Sequence, residues 1–153
     1  MNVTGEAYSR FISGYEWDYF GTITFRYPRR DPMYSARQIG DIIGTNRSNP
    51  WGYNIDRAFL VSEPHTTGFL HYHALLHEER SNINGGGVYN AGDYKLLFNR
   101  QWGFSDVTPV RGMHEVAAYC SKYVMKAIDL PTVDYAFLGN WTKGPLDNRS
   151  PDH

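Results

Sequence analysis

Two histidines and a carboxylate stand in a pattern that could bind a metal ion. His71 and His73 alternate in a strand-like segment, so their side chains point to the same face. Glu63 ends the preceding strand-like segment, and in a hairpin it lies opposite His71 or its diagonal neighbour. Two imidazoles and one carboxylate with open coordination positions suit Mg²⁺, Mn²⁺ or another octahedral ion. They are less typical of a structural zinc site, where thiolate ligands are favoured.

The same residues also allow a simpler interpretation, because alternating histidines occur on strand surfaces without any metal. His77 shares the face but lies too far along the strand to join His71 easily. His65 falls in the predicted turn and is an additional candidate ligand.

A second pattern consists of two overlapping Tyr-x-x-Lys motifs, Tyr119-x-x-Lys122 and Tyr123-x-x-Lys126. A phenol titrates near pH 10 and is a poor nucleophile unaided, but an ammonium three residues away favours the phenolate and can bind a phosphate. The motif is also common on ordinary amphipathic helices, where the lysine is merely solvated.

The tyrosines belong to a predicted helix over residues 113–128. At about 100° per residue, one apolar stripe forms its core face. The stripe comprises Met113, Val116, Ala117, Cys120, Val124, Ala127 and Ile128. Tyr119 lies about 120° and Tyr123 about 80° from its centre on this wheel, which predicts that Tyr119 is the freer ring.

The remaining elements follow from hydrophobic periodicity and turn residues. We predict strands at 17–27, 55–63, 69–77 and 106–110, and further helices at 33–45 and 93–102. Residues 80–92 are predicted to form a loop, and residues 1–15 show no clear period. This order predicts an α+β fold with a central antiparallel β-sheet and flanking helices.

Length and composition indicate a single domain, residues 1–153, with 129–153 as a C-terminal extension. That extension contains an aromatic patch, Tyr135, Phe137 and Trp141, which either covers the sheet or is partly mobile. The net charge of −1 argues against a non-specific coat on nucleic acid but allows a small cleft for a few nucleotides.

One cysteine, Cys120, permits no internal disulfide, and neither a signal peptide nor a membrane-spanning run is evident. We therefore expect a cytoplasmic protein with no membrane partner, in the host cytoplasm if it is viral; the nucleus stays open.

Together these motifs resemble the HUH endonucleases, and among them the rolling-circle replication initiators of single-stranded DNA phages. The resemblance runs from Trp17 to Lys126. It rests on the strand Phe20-Gly-Thr-Ile-Thr-Phe25, on His71-Tyr72-His73 preceded by Glu63, and on Tyr119-x-x-Lys122. It implies an antiparallel sheet related to the RNA-recognition fold.

The resemblance also implies a mechanism. Glu63, His71 and His73 hold a divalent ion, Mg²⁺ or Mn²⁺, and Tyr119 attacks single-stranded DNA at a replication origin. The products are a 5′-phosphotyrosine and a free 3′-hydroxyl, and Lys122 assists. Tyr123 is either a second nucleophile or a packing residue.

Phosphate contacts and partners complete the implied picture. The candidate phosphate contacts are Arg26, Arg29, Arg30, Lys122 and Lys126. The sequence has no Gly-x-x-x-x-Gly-Lys loop, so a host helicase is expected to unwind the DNA and a host polymerase to extend it.

Two other classes fit part of the pattern. A cupin-like β-barrel would use His71, His73 and Glu78 as metal ligands. A non-enzymatic, RNA-recognition-like module would bind single-stranded nucleic acid by stacking bases on Tyr19, Phe25 or Tyr72. Relaxases and single-tyrosine transposases are related options within the HUH superfamily.

Overall fold

A computed structural model of the chain describes residues 3–26, 39, 55–64, 70–78, 90–124, 135–139 and 141. The helices are α1 (Val3–Ser13), α2 (Ala91–Gln101) and α3 (Met113–Tyr119), and α3 continues into a π-helical turn, Cys120–Val124. The strands are β1 (Tyr19–Thr24), β2 (Ile55–Pro64), β3 (Leu70–Glu78), β4 (Ser105–Pro109) and β5 (Tyr135–Gly139). They form one five-stranded antiparallel sheet in the order β4-β1-β3-β2-β5. The predicted α+β class with a central antiparallel sheet is confirmed.

The predicted hairpin is the centre of this sheet. Strands β2 and β3 pair from Ile55 opposite Glu78 to Pro64 opposite Leu70, with an irregularity between Ile55 and Arg57. Strand β1 lies on the other side of β3, so β3 has a neighbour on both sides. The side chains of β3 therefore occupy fixed positions on the two faces of the sheet.

One face of the sheet packs against α2 and forms an apolar core. Tyr94 and Phe98 of α2 are fully buried there, together with the helical residue Ile39. Helix α2 begins with a capping box, in which Asn90 Oδ1 accepts from the Asp93 backbone N–H and the Asp93 carboxylate accepts from the Asn90 N–H. We call this face of the sheet, which α2 covers, the α2 face.

The three rings named for the alternative base-stacking module, Tyr19, Phe25 and Tyr72, are not accessible for stacking. These three rings lie in the core of the α2 face and are only 7%, 1% and 2% exposed. A nucleic-acid base cannot reach them while α2 is in place.

The opposite face packs against α1, α3 and the π-helical turn. Its buried residues are Ile12, Tyr15, Trp17, Phe59, Val61, Leu75, Val116, Tyr119, Cys120 and Val124. The buried guanidinium of Arg57 lies 4.8 Å from the ring centroids of both Tyr15 and Trp17. Helix α1 was not among the predicted elements, although Tyr8, Ile12 and Tyr15 have helical spacing.

The predicted C-terminal patch partly belongs to the sheet. Residues 135–139 form β5, which pairs with β2 from Tyr135 opposite Val61 to Gly139 opposite Arg57. Gly139 has φ 86°, and a Cβ there would lie 2.1 Å from the Asp56 carbonyl oxygen, so the close approach of the strands requires glycine.

Several predictions fall outside the described residues. They include the helix at 33–45, apart from Ile39, and residues 80–89 of the predicted loop. The continuation of the last helix beyond Val124 and most of the extension 129–153 also lie outside. Among the helices described, none has the length and apolarity needed to cross a membrane.

Candidate metal centre

The structure brings the three predicted metal ligands together at one end of the β2–β3 hairpin. Alternation along β3 places His71 and His73 on the face opposite α2, and the register sets Glu63 directly across from His71. Glu63 Oε2 lies 3.1 Å from His73 Nε2 and 3.4 Å from His71 Nε2. One candidate ligand atom from each residue lies within 4.8 Å of the others, which is compatible with a shared divalent ion.

Burial and charge favour the form of histidine that binds metals. The side chains of His71, His73 and Glu63 are 15%, 16% and 17% exposed, so the cluster is largely shielded but keeps partial contact with solvent. Burial lowers the pKa of His73, and the neighbouring His71 lowers it further, whereas Glu63 opposes the shift. A neutral imidazole is the form that donates its lone pair to a metal ion.

The other histidines and acids of the hairpin do not belong to this cluster. His77 shares the face but its Nδ1 lies 2.5 Å from an oxygen of the Asp56 carboxylate, at the far end of the sheet. Glu78 lies on the α2 face, where its Oε2 accepts a 2.6 Å hydrogen bond from the Tyr94 hydroxyl. His65 lies outside the described residues.

These positions rule out the cupin-like alternative. Alternation turns Glu78 away from His71 and His73, so the three cannot share a metal ion. The described strands also form an open sheet with β4 and β5 at its edges, rather than a barrel.

The π-helical turn carries a tyrosine to the metal cluster. The ring of Tyr123 stacks on His73, with the centroids 4.1 Å apart and an interplanar angle of 26°. The Nζ of Lys122 lies 5.1 Å from the centroid of the same phenol ring. Tyr123 is half-buried, whereas Lys122 is exposed. The cluster thus has a phenol and an ammonium beside it.

Tyr119 is the more enclosed of the two tyrosines, so the prediction that it is the freer ring is wrong. It is 9% exposed and lies between Phe20, with centroids 5.4 Å apart, and Tyr123, at 4.8 Å. The predicted stripe included Met113 and Ala117, yet both are exposed. Burying aromatic rings removes more apolar area from water than burying alanine, and this turns the helix toward Tyr119.

The Tyr119 hydroxyl is buried and has no hydrogen-bond partner among the residues that the structure describes. Burial raises the pKa of this hydroxyl well above its usual value near 10, and the nearby Cys120, Tyr123 and Glu63 raise it further. Burial also raises the pKa of the Cys120 thiol, to about 12. In this conformation Tyr119 is a weak nucleophile and Cys120 is unreactive.

The predicted phosphate contacts are only partly described. Arg26 is exposed, but its guanidinium donates a 2.8 Å hydrogen bond to the Asn99 carbonyl in α2. Lys122 lies close enough to His73 for its positive charge to lower the pKa of that imidazole. Arg29, Arg30 and Lys126 lie outside the described residues.

Sequence reasoning missed the residues of β1 that border the cluster. Thr22 pairs with His73 and Thr24 pairs with His71, and directly opposed residues share a face of the sheet. Their hydroxyl-bearing side chains are half-buried. The alternation of β1 could have predicted their common face, but not which strand would pair beside the histidines.

Comparison with protein-family models, curated proteins and solved structures gives no match for this chain.

Proposed function

We propose that this protein is a metal-dependent endonuclease of the HUH type, which nicks single-stranded DNA through a tyrosine to start rolling-circle replication. The observation that carries the proposal is one convergence of side chains. Glu63, His71 and His73 meet on one face of the sheet, and the phenol ring of Tyr123 stacks on His73 at 4.1 Å.

The topology supports this class. The first four strands have the order β4-β1-β3-β2, with α2 between β3 and β4 and the helical Ile39 between β1 and β2. This order of strands supports the proposal of an RNA-recognition-like sheet. The candidate metal cluster then lies on the face opposite α2, which is the face that α1, α3 and the π-helical turn pack against.

The donor set fits a divalent ion. Glu63, His71 and His73 supply one carboxylate oxygen and two imidazole nitrogens, and each side chain is partly exposed. Mg²⁺ or Mn²⁺ held by these residues would polarise a non-bridging oxygen of the scissile phosphate and stabilise the charge that develops there.

The protein's own groups account for the transfer of the phosphoryl group. The tyrosine oxygen forms a bond to phosphorus, the bond from phosphorus to O3′ breaks, and a 5′-phosphotyrosine remains. The phenol loses its proton and the departing O3′ gains one, so the product is a free 3′-hydroxyl that a host polymerase could extend. The Nζ of Lys122 lies 5.1 Å from the Tyr123 ring centroid, so its positive charge is placed to bind the scissile phosphate.

The described conformation favours Tyr123 as the attacking residue. Its ring contacts a candidate metal ligand and is partly accessible, whereas the Tyr119 hydroxyl is enclosed. Tyr119, which the family resemblance implies as nucleophile, packs against the Tyr123 ring, with the ring centroids 4.8 Å apart.

The test uses a pool of random-sequence, single-stranded oligonucleotides with the full chain and Mn²⁺. We expect a covalent protein–DNA band on a denaturing gel, lost in Tyr123→Phe, kept in Tyr119→Phe and abolished by a chelator. Sequencing the trapped DNA end would give the preferred site.

The controls separate the two levels of the proposal. Loss of the band in Tyr119→Phe but not in Tyr123→Phe would move the nucleophile to Tyr119 and contradict that assignment. Binding without any cleavage, across Mg²⁺ and Mn²⁺ and many sequences, would contradict the endonuclease itself.

A further inference from the structure

A row of aromatic side chains runs along the edge of the sheet beside the metal centre. We call it the aromatic strip, and it comprises Tyr8 and Phe11 of α1, Tyr135 and Phe137 of β5, and Trp141. Four of these residues, Tyr8, Phe11, Phe137 and Trp141, line a shallow groove, and none of the described residues in its lining is charged.

Three aromatic rings of the strip are exposed, and Tyr8 and Trp141 are half-buried. Phe11 is 43%, Tyr135 39% and Phe137 37% exposed. Neighbouring rings lie 4.9 to 6.5 Å apart, and Phe11 and Trp141 are nearly parallel, with an interplanar angle of 14°. Apolar surface of this kind marks a binding site more often than a solvated surface.

The strip continues directly from the metal centre. Tyr135 pairs with Val61, which lies two residues before Glu63 on the same face of β2. Phe137 pairs with Phe59, two residues further along, and their ring centroids are 5.1 Å apart. A strand cleaved at the metal centre would pass from Glu63 onto Tyr135 and then onto Phe137.

We propose that the aromatic strip binds unpaired nucleotide bases of the DNA strand next to the scissile phosphate. This inference rests on the proposed endonuclease function and adds a subsite to it. The bases stack on the exposed ring faces, and such stacking tolerates any sequence because every base has a π-face.

The charge of the chain favours bases over phosphates as the bound groups. The net charge is −1, so phosphate neutralisation alone supplies little affinity for DNA. The described residues of the groove are aromatic rings without a cation, which suits a flat aromatic ligand rather than an anion. A double helix keeps its bases paired and stacked, so the strip selects single strands.

The test measures binding separately from cleavage. The probe is a fluorescein-labelled oligothymidine of about twelve nucleotides, within the range that such sites cover, titrated by anisotropy in the presence of a chelator. We expect Phe11→Leu and Phe137→Leu each to weaken binding about fivefold to tenfold, because leucine keeps apolar volume but removes the stacking ring.

Phe104→Leu is the matched control. Phe104 is 78% exposed but lies just before β4, at the opposite edge of the sheet. We expect this variant to bind the probe as the unmodified chain does. Circular dichroism melts of all three variants verify that each is folded before binding is compared.

A second probe isolates the bases. It replaces the thymines by abasic residues and keeps every phosphate. We expect the unmodified chain to bind this abasic probe as weakly as the strip variants bind oligothymidine. The strip variants should bind the abasic probe with the same affinity as the unmodified chain.

Three results would overturn the strip as a base-binding site. The first is that the unmodified chain binds both probes with equal affinity. The second is that the strip variants bind oligothymidine as tightly as Phe104→Leu does. The third is that the unmodified chain sediments as a dimer and the strip variants as monomers. Covalent adduct formation is scored independently. If adducts form but the strip variants bind the probe normally, only the base-binding proposal is rejected. If binding depends on the rings of the strip but no adduct forms, only the nuclease proposal is rejected.

Discussion

The two faces of the sheet use the same strands for different purposes. On the α2 face, a regular and capped helix covers an apolar core, and the buried Tyr94 hydroxyl donates to Glu78. On the other face, two histidines and a carboxylate converge, α3 passes into a π-helical turn, and the buried Tyr119 hydroxyl lacks a partner among the described residues. Irregular helices and unsatisfied polar groups destabilise a fold and are frequent at functional sites. The two faces therefore differ in regularity, and the face opposite α2 carries the candidate functional residues.

The largest expected effect is on stability, at the α2 face. Phe98 is fully buried there, so Phe98→Ala should lower the free energy of unfolding by about 3–5 kcal/mol, through lost burial and the cavity left behind. Urea denaturation measures it. Phe104→Ala, at a residue that is 78% exposed, should change stability by less than about 0.5 kcal/mol. Equal losses in both variants would remove the distinction between core and surface.

The metal face should show the opposite pattern. His73→Ala removes a candidate ligand, and we expect adduct formation to fall at least about a hundredfold, because even the outer partners of a metal site contribute that much. The melting temperature of the metal-free protein should stay close to that of the unmodified chain, since His73 is only partly buried. Cleavage at the unmodified rate would refute the metal assignment.

A pair of matched substitutions compares the two faces directly. Tyr94→Phe removes a buried hydrogen bond to a carboxylate and should destabilise the protein by about 1.5–3 kcal/mol. Tyr119→Phe removes a buried hydroxyl that has no described partner, so the free energy of unfolding should rise by about 1 kcal/mol. Denaturant unfolding of both variants decides the sign. Destabilisation by Tyr119→Phe would show that its hydroxyl has a partner in solution.

The smallest effect concerns the cap of α2. Asn90→Ala should lower the free energy of unfolding by about 1 kcal/mol, because the Asp93 backbone N–H loses its acceptor. Leu96→Ala, on the exposed side of the same helix, serves as the control and should stay within about 0.5 kcal/mol. If the two variants unfold at the same urea concentration as the unmodified chain, the capping box contributes no stability.

Local patterns were enough to predict the hairpin and the metal cluster. A period of two fixes which residues of β3 share a face, and the short link between 63 and 70 leaves few registers, so Glu63 opposite His71 could be foreseen. The antiparallel class followed from the order of elements. The metal role of these residues and the endonuclease activity stay predictions.

Non-local packing explains what the sequence left open. Strand β5 forms by pairing with β2, far earlier in the chain, so its own residues carry a weak signal. In α1 and just after it, Gly5 and the polar ends of Tyr8 and Tyr15 obscured a helical period.

The predicted orientation of the helix that carries Tyr119 and Tyr123 was wrong for a different reason. A helical wheel assumes constant rotation per residue, but a π-helical turn closes its hydrogen bonds one residue later, which rotates the following residues by about 100°. The wheel also gave Met113 and Ala117 the same weight as the aromatic rings. The order of exposure of Tyr119 and Tyr123 was therefore inverted.

Strand β4 forms one border of the sheet, and its composition limits how the molecule can associate with itself. A strand from another copy that approached this border would meet Pro109, which has no N–H to donate, and the charged Asp106, which is 63% exposed and lies 3.6 Å from Lys95. Backbone pairing there would leave hydrogen bonds unmade and would strip water from an ion pair. The composition of β4 therefore disfavours edge-to-edge pairing with the sheet of a second copy.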